Sequence, residues 1–108
     1  MTFKHAVVLA LVATTSPLLA GEGVLASDGD APIIVWKSQQ ALFEGLAMLR
    51  ARATVAAIAP LVACAPTPGT RVTEAADAPG LDMRRIVVTS GVWSGCRGIV
   101  EQGYLQRH

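Results

Sequence analysis

Two cysteines, Cys64 and Cys96, are the side chains best suited to covalent chemistry in this chain of 108 residues. In an oxidising compartment an even cysteine count favours a disulfide. The loop it would close is long, so chain entropy gives a stabilisation of about 3–4 kcal/mol. That is large beside what a small core supplies. Free buried thiols and a metal site are alternatives. The metal site is poorly furnished, because beyond the N-terminal segment the only histidine is His108, and two isolated thiols make a weak ligand set. Lipidation is a further alternative. Leu61-Val62-Ala63-Cys64 fits the lipoprotein cleavage pattern, and Met48-Leu49-Arg50-Ala51-Arg52 before an Ala-rich run could serve as a signal start. A lipid on Cys64 would leave Cys96 unpaired.

Other chemistry is thinly represented. A hydrolase needs an activated nucleophile with a base in reach, and Ser27, Ser38, Ser90 and Ser94 have no histidine but His108 to serve them. Glu74, Asp77, Asp82 and Glu101 read as solvated charges rather than a catalytic pair. Gly91, Gly95 and Gly98 precede no helix and no phosphate-binding lysine follows them, so they do not form a phosphate loop. No catalytic residue, metal ligand or cofactor is therefore expected. The surface-binding candidates are aromatic: Trp36, Trp93 and Tyr104. Trp93 stands in an expected turn, and Trp93 and Tyr104 are the candidate ligand contacts.

The start of the chain carries an address. Met1-Thr2-Phe3-Lys4-His5 has one fixed positive charge, an apolar run from Ala6 to Ala13 follows, and Pro17 precedes Leu18-Leu19-Ala20-Gly21. This order is that of a secretory signal peptide. The expected cut is after Ala20, with Ala26 as a second candidate. The apolar run breaks before the roughly 20 residues that a membrane span needs, so no stable transmembrane span is expected after cleavage. Beyond Ala20, Lys37 and seven Arg balance four Asp and four Glu. A neutral chain without a basic cluster gives no electrostatic case for nucleic acid.

These residues must be positioned by few elements. Residues 21–36 begin with the Gly- and Asp-rich GEGVLASDGDAP and read as a flexible lead-in. Leu42, Phe43, Leu46, Leu49 and Ala53 recur at helical spacing, which predicts a helix over 38–53 with these residues on its apolar face. Ser38 is its expected cap, and Gly45 weakens it by about 1 kcal/mol relative to Ala. An apolar turn from Ala56 to Cys64 then crosses Pro60. Thr70 to Glu74 reads as a strand, Ala75 to Leu81 as a loop, and Arg84 to Thr89 as the clearest strand, with Ile86 and Val88 facing inward. Gly95 to Val100 returns, and Gly103-Tyr104-Leu105 closes.

The segment Gly95-Cys96-Arg97-Gly98-Ile99-Val100-Glu101-Gln102-Gly103-Tyr104-Leu105 resembles the closing motif of bacterial Src-homology-3-like (SH3-like) domains. Gly95, Gly98, Val100, Tyr104 and Leu105 stand at matching places. Gly69-Thr70-Arg71-Val72 resembles the first-strand entry and Arg85 to Val88 the middle strand, so the resemblance covers about residues 66–106. It implies a small barrel that binds cell-wall peptide or glycan, and Gly98 inside a strand marks close backbone approach or a bend, as a tightly curled barrel requires. Where the family usually has aromatics, some lining its ligand groove, this chain has Cys96 and Ile99. The family's early Asn-Val-Arg segment is missing. A helix stapled to a small barrel is also similar to a pattern in short secreted bacterial proteins.

The expected protein is α+β. A signal peptide over 1–20 precedes a lead-in over 21–36, a helical segment over 37–65 and an SH3-like antiparallel β-barrel over 66–108. The helix packs on the barrel and Cys64–Cys96 staples them. The expected function is that of an exported, non-catalytic binding module of the periplasm or the cell exterior. Its partner would be an envelope protein, a peptide or a cell-wall component. The alternative is a structural envelope-associated protein without a small ligand, or a lipoprotein carrying its lipid on Cys64.

Overall fold

The computed structural model describes residues 19–76, 79–80 and 82–107. The expected signal peptide up to residue 18 lies outside these, as does Asp77. The chain folds as a mixed α+β unit. Among the described residues, seven antiparallel strands form one sheet: β1 (Leu19–Leu25), β2 (Val35–Trp36), β3 (Val62–Cys64), β4 (Arg71–Ala75), β5 (Met83–Val88), β6 (Arg97–Glu101) and β7 (Leu105–Arg107). Two helices, α1 (Gln39–Arg50) and α2 (Val55–Ile58), lie between β2 and β3. The strand order is β3-β2-β6-β5-β4-β1-β7.

The helix forms where its cap and period place it. The Ser38 side chain accepts a hydrogen bond from the Ala41 amide at 3.0 Å, satisfying one of the first-turn donors that a helix leaves open. Ala41, Leu42 and Gly45 are buried. Phe43 and Leu49, expected on the same apolar face, are exposed instead, because the sheet meets a narrower stripe of α1 than the sequence period offers. Gly45 is set against the indole of Trp36, and a Cβ there would overlap the ring. The helix gives up some propensity at Gly45 so that a large aromatic can pack flat against its backbone.

Two clusters make the core. Leu25, Ile33, Val35, Cys64, Val72, Ile86, Val88 and Val100 form the first. Trp36, Ala41, Leu42, Ile58, Met83 and Ile99 form the second. The first joins β1 to β2, which have three strands between them in the sheet, so the sheet curls around it. Ile86 and Val88 face inward as their alternation predicts.

Two expectations need correction. The sheet is not a closed barrel. Its end strands, β3 and β7, are three residues each and lie at opposite ends of the order, with no ladder between them. Residues 21–36 are not a loose lead-in, since they contain most of β1 and all of β2, and Leu25, Ile33, Val35 and Trp36 are buried. The glycines of β1 hid a strand that β4 and β7 both hydrogen-bond. At Gly98 the structure shows a close approach, one of the two readings that a glycine inside a strand allows. A Cβ there would run into the Trp36 carbonyl and the Val35 side chain of β2.

Glu74 is also not a solvated charge. It is buried on β4, and its carboxylate accepts hydrogen bonds from Arg107 at 2.7 and 2.9 Å and lies 3.2 Å from Arg84. Burial of a carboxylate is tolerable because both oxygens are engaged by guanidinium groups.

Candidate functional site

Cys64 and Cys96 are joined by a disulfide, with their Cα atoms 6.5 Å apart. Cys64 ends β3, the strand at one end of the sheet, and Cys96 precedes β6, with β2 between these two strands. The bond therefore staples the last strand of the sheet to the turn that leads into β6. With its sulfur in the disulfide, Cys64 has no thiol left for a lipid. The bond is compatible with an oxidising compartment.

That turn carries Trp93. Gly91 and Gly95 take positive φ values of 79° and 96°, a region that residues with a Cβ rarely enter. They let the chain reverse between β5 and β6 in a few residues. The Ser94 amide donates to the Gly91 carbonyl at 3.2 Å, the Cys96 amide to the Trp93 carbonyl at 2.9 Å and the Gly95 amide to the Val88 carbonyl at 2.8 Å. Trp93 is thus held by local hydrogen bonds and by the neighbouring disulfide, with its side chain 43 % exposed.

Trp93 lines an apolar groove of about 340 Å³ together with Ile34, Leu49, Val55, Ile58, Ala59, Val62, Ala63, Cys64 and Ala65. None of these side chains carries a charge, and the Trp93 indole N–H is the one hydrogen-bonding group among them. Val55, on α2, is 84 % exposed at its rim. Thr54 fixes that short helix, since its hydroxyl accepts from the Ala57 amide at 3.2 Å. An apolar concavity with a half-exposed tryptophan is suited to holding an apolar group out of water.

The other aromatic candidates part company here. Trp36 is fully buried in the second cluster and presents no surface. Tyr104 is 36 % exposed and lies in the turn Gln102–Tyr104 before β7, where its carbonyl accepts from the Ala26 amide at 2.9 Å. It does not line the groove that Trp93 lines. Asp82 and Glu101 do meet at one hollow, of about 410 Å³, beside Leu42, Phe43, Leu46 and Met83. Among the described residues no hydroxyl, thiol or histidine side chain lines it. Among the described residues no group of three His, Cys, Asp or Glu is placed to hold a metal ion, and no helix is long and apolar enough to cross a membrane.

The sequence pointed to Trp93 through its place in a turn. It did not point to Val55, Ile34 or Ala63, because nothing local marks residues that only the sheet's end brings together. Compared with known protein families, curated proteins and solved structures, the chain matches none.

Proposed function

We propose that this chain is an exported, non-catalytic binding module of SH3-like type, working in the periplasm or outside the cell, which holds a partner in the groove beside Trp93. The observation that carries the reading is the groove itself: an apolar concavity whose half-exposed tryptophan is fixed in place by a disulfide-anchored turn. An apolar pocket with a few convergent side chains is the default place for a binding site. The succession of β6, the short turn Gln102–Tyr104 and β7 supports the SH3-like resemblance of that stretch.

The departures from the family bear on the ligand. Cys96 is spent on the disulfide and Ile99 on the second cluster, so the groove at β3 stands in for a family groove that lacks its aromatics. Apart from the Trp93 indole N–H, its lining offers no side-chain donors or acceptors for sugar hydroxyls. Of an envelope protein, a peptide or a glycan, it fits an apolar segment of polypeptide best.

Val55→Lys tests this. The site is exposed, so the change leaves stability within about 0.5 kcal/mol, while an ammonium at the rim opposes burial of an apolar ligand. Capture of envelope components by the immobilised protein should fall about tenfold or more. Capture equal to that of the unaltered protein would contradict the groove as the binding surface.

A further inference from the structure

We propose that the rim of the groove is a membrane-docking surface, which seats Val55, Val92 and Trp93 in the headgroup boundary of a lipid bilayer that carries anionic lipid. The inference goes beyond the groove reading. It concerns the rim and the charges beside it, and it holds whatever fills the groove itself.

The exposed apolar side chains gather around one opening. Val92 is 94 % exposed and Val55 84 %, and Leu49 and Trp93 are each 43 % exposed. Leu49, Val55 and Trp93 line the same hollow, which makes them neighbours. Val92 precedes Trp93 in the same turn. That turn is fixed by its own hydrogen bonds and by the disulfide at Cys96, so docking has little left to order there. Tryptophan suits the boundary between hydrocarbon and water, because its ring is apolar and its N–H still finds a polar partner.

An apolar rim alone does not choose its occupant, but the charges beside it do. Arg50 ends α1 and Arg52 stands in the turn before α2, and both are exposed. They lie between Leu49 and Val55, two residues of the rim. The segments 45–73 and 87–100 supply the whole lining except Ile34. Their charged residues are Arg50, Arg52, Arg71 and Arg97, and all eight Asp and Glu of the chain fall outside them. The charges that sum to zero beyond Ala20 are thus unevenly placed. Exposed apolar side chains beside arginines, without a carboxylate in either segment, complement a surface that is anionic at its face and apolar beneath. An uncharged peptide in the groove would leave Arg50 and Arg52 unused.

The test is flotation of the whole chain with two kinds of vesicle, one of phosphatidylglycerol and phosphatidylethanolamine, the other of phosphatidylcholine alone. Binding to the anionic vesicles should be about tenfold tighter or more, and should weaken in about 0.5 M salt. The double variant Arg50→Gln, Arg52→Gln should lose about tenfold in that binding, and Val92→Asp should lose as much. All three positions are exposed, so these variants keep the fold. Brominated lipid in the anionic vesicles should quench the Trp93 fluorescence, since Trp36 is buried. Equal binding to both vesicles overturns the proposal, as does anionic binding that is indifferent to the Arg and Val92 changes. Val92 does not line the groove, so Val92→Asp should leave capture of detergent-solubilised envelope protein unchanged. Loss of that capture with vesicle binding intact would assign the tip to a polypeptide and overturn membrane docking. Failure of the groove reading is a separate result, namely unaltered capture by Val55→Lys.

Discussion

Glu74 and Arg107 stand on the two strands that flank β1, and their paired hydrogen bonds of 2.7 and 2.9 Å span that strand. The pair ties β4 to β7 across the strand that opens the described fold.

The Glu74 carboxyl is held below its ordinary value of 4.5, chiefly by the hydrogen bonds from Arg107 and further by the charges of Arg107 and Arg84, against the opposing effect of burial. A carboxyl depressed in the folded state adds stability that is complete above its unfolded value and is lost as pH falls through its folded value. The protein should therefore lose stability below the ordinary carboxyl range. Glu74→Gln should cost about 1–3 kcal/mol near neutral pH and weaken the acid dependence. Urea melts at neutral pH and at about pH 3 check both. An acid dependence unchanged in Glu74→Gln would remove the pair from the account.

Gly98→Val should cost about 2 kcal/mol or more, because its side chain would displace β2 from β6 at the Trp36 carbonyl. Gly29→Ala, where a Cβ meets nothing within 4 Å, should stay within about 0.5 kcal/mol. Thermal melts of the two variants give the comparison. Equal costs would contradict the close approach.

Removing the disulfide should expose its contribution. The cysteines are 32 positions apart, and a loop of that size corresponds to about 3–4 kcal/mol of unfolded-state entropy. The double variant Cys64→Ser, Cys96→Ser should lose stability of that order in denaturant titration. Peptide mapping without reductant should find the two cysteines linked, and two free thiols after native purification would contradict the bond.

Export processing, if it follows the signal pattern, should cut after Ala20 and not after Ala26. Cleavage at the second site would remove the paired part of β1, with the Leu25 side chain that is buried in the first cluster. Intact-mass measurement of exported protein should give a chain beginning at Gly21. A chain beginning at Ser27 would show that β1 is dispensable.

The sequence carries the elements whose signals are local. Ser38 and the apolar period place α1, and the alternation through Ile86 and Val88 places β5, because caps and pleats act within a few residues. β1 was illegible for the opposite reason. Gly21, Glu22 and Gly23 have little strand preference of their own, and their conformation is imposed by ladders to β4 and β7. The pairing of Glu74 with Arg107 shares that dependence, since it exists only because β7 lies beside β1. The apolar run around Val62 was read as a turn, since three residues beside β2 are too few to show a period. Trp93 was legible from its turn, but the groove it lines depends on where β3 ends the sheet.

The most direct measurement is Trp93→Ala, read for both stability and binding. The turn is held by backbone hydrogen bonds and the disulfide rather than by the indole. The melting temperature should therefore stay near that of the unaltered protein, with envelope-partner capture lost. A marked fall in melting temperature, with capture retained by the protein that remains folded, would make Trp93 a lid on the core and contradict the account.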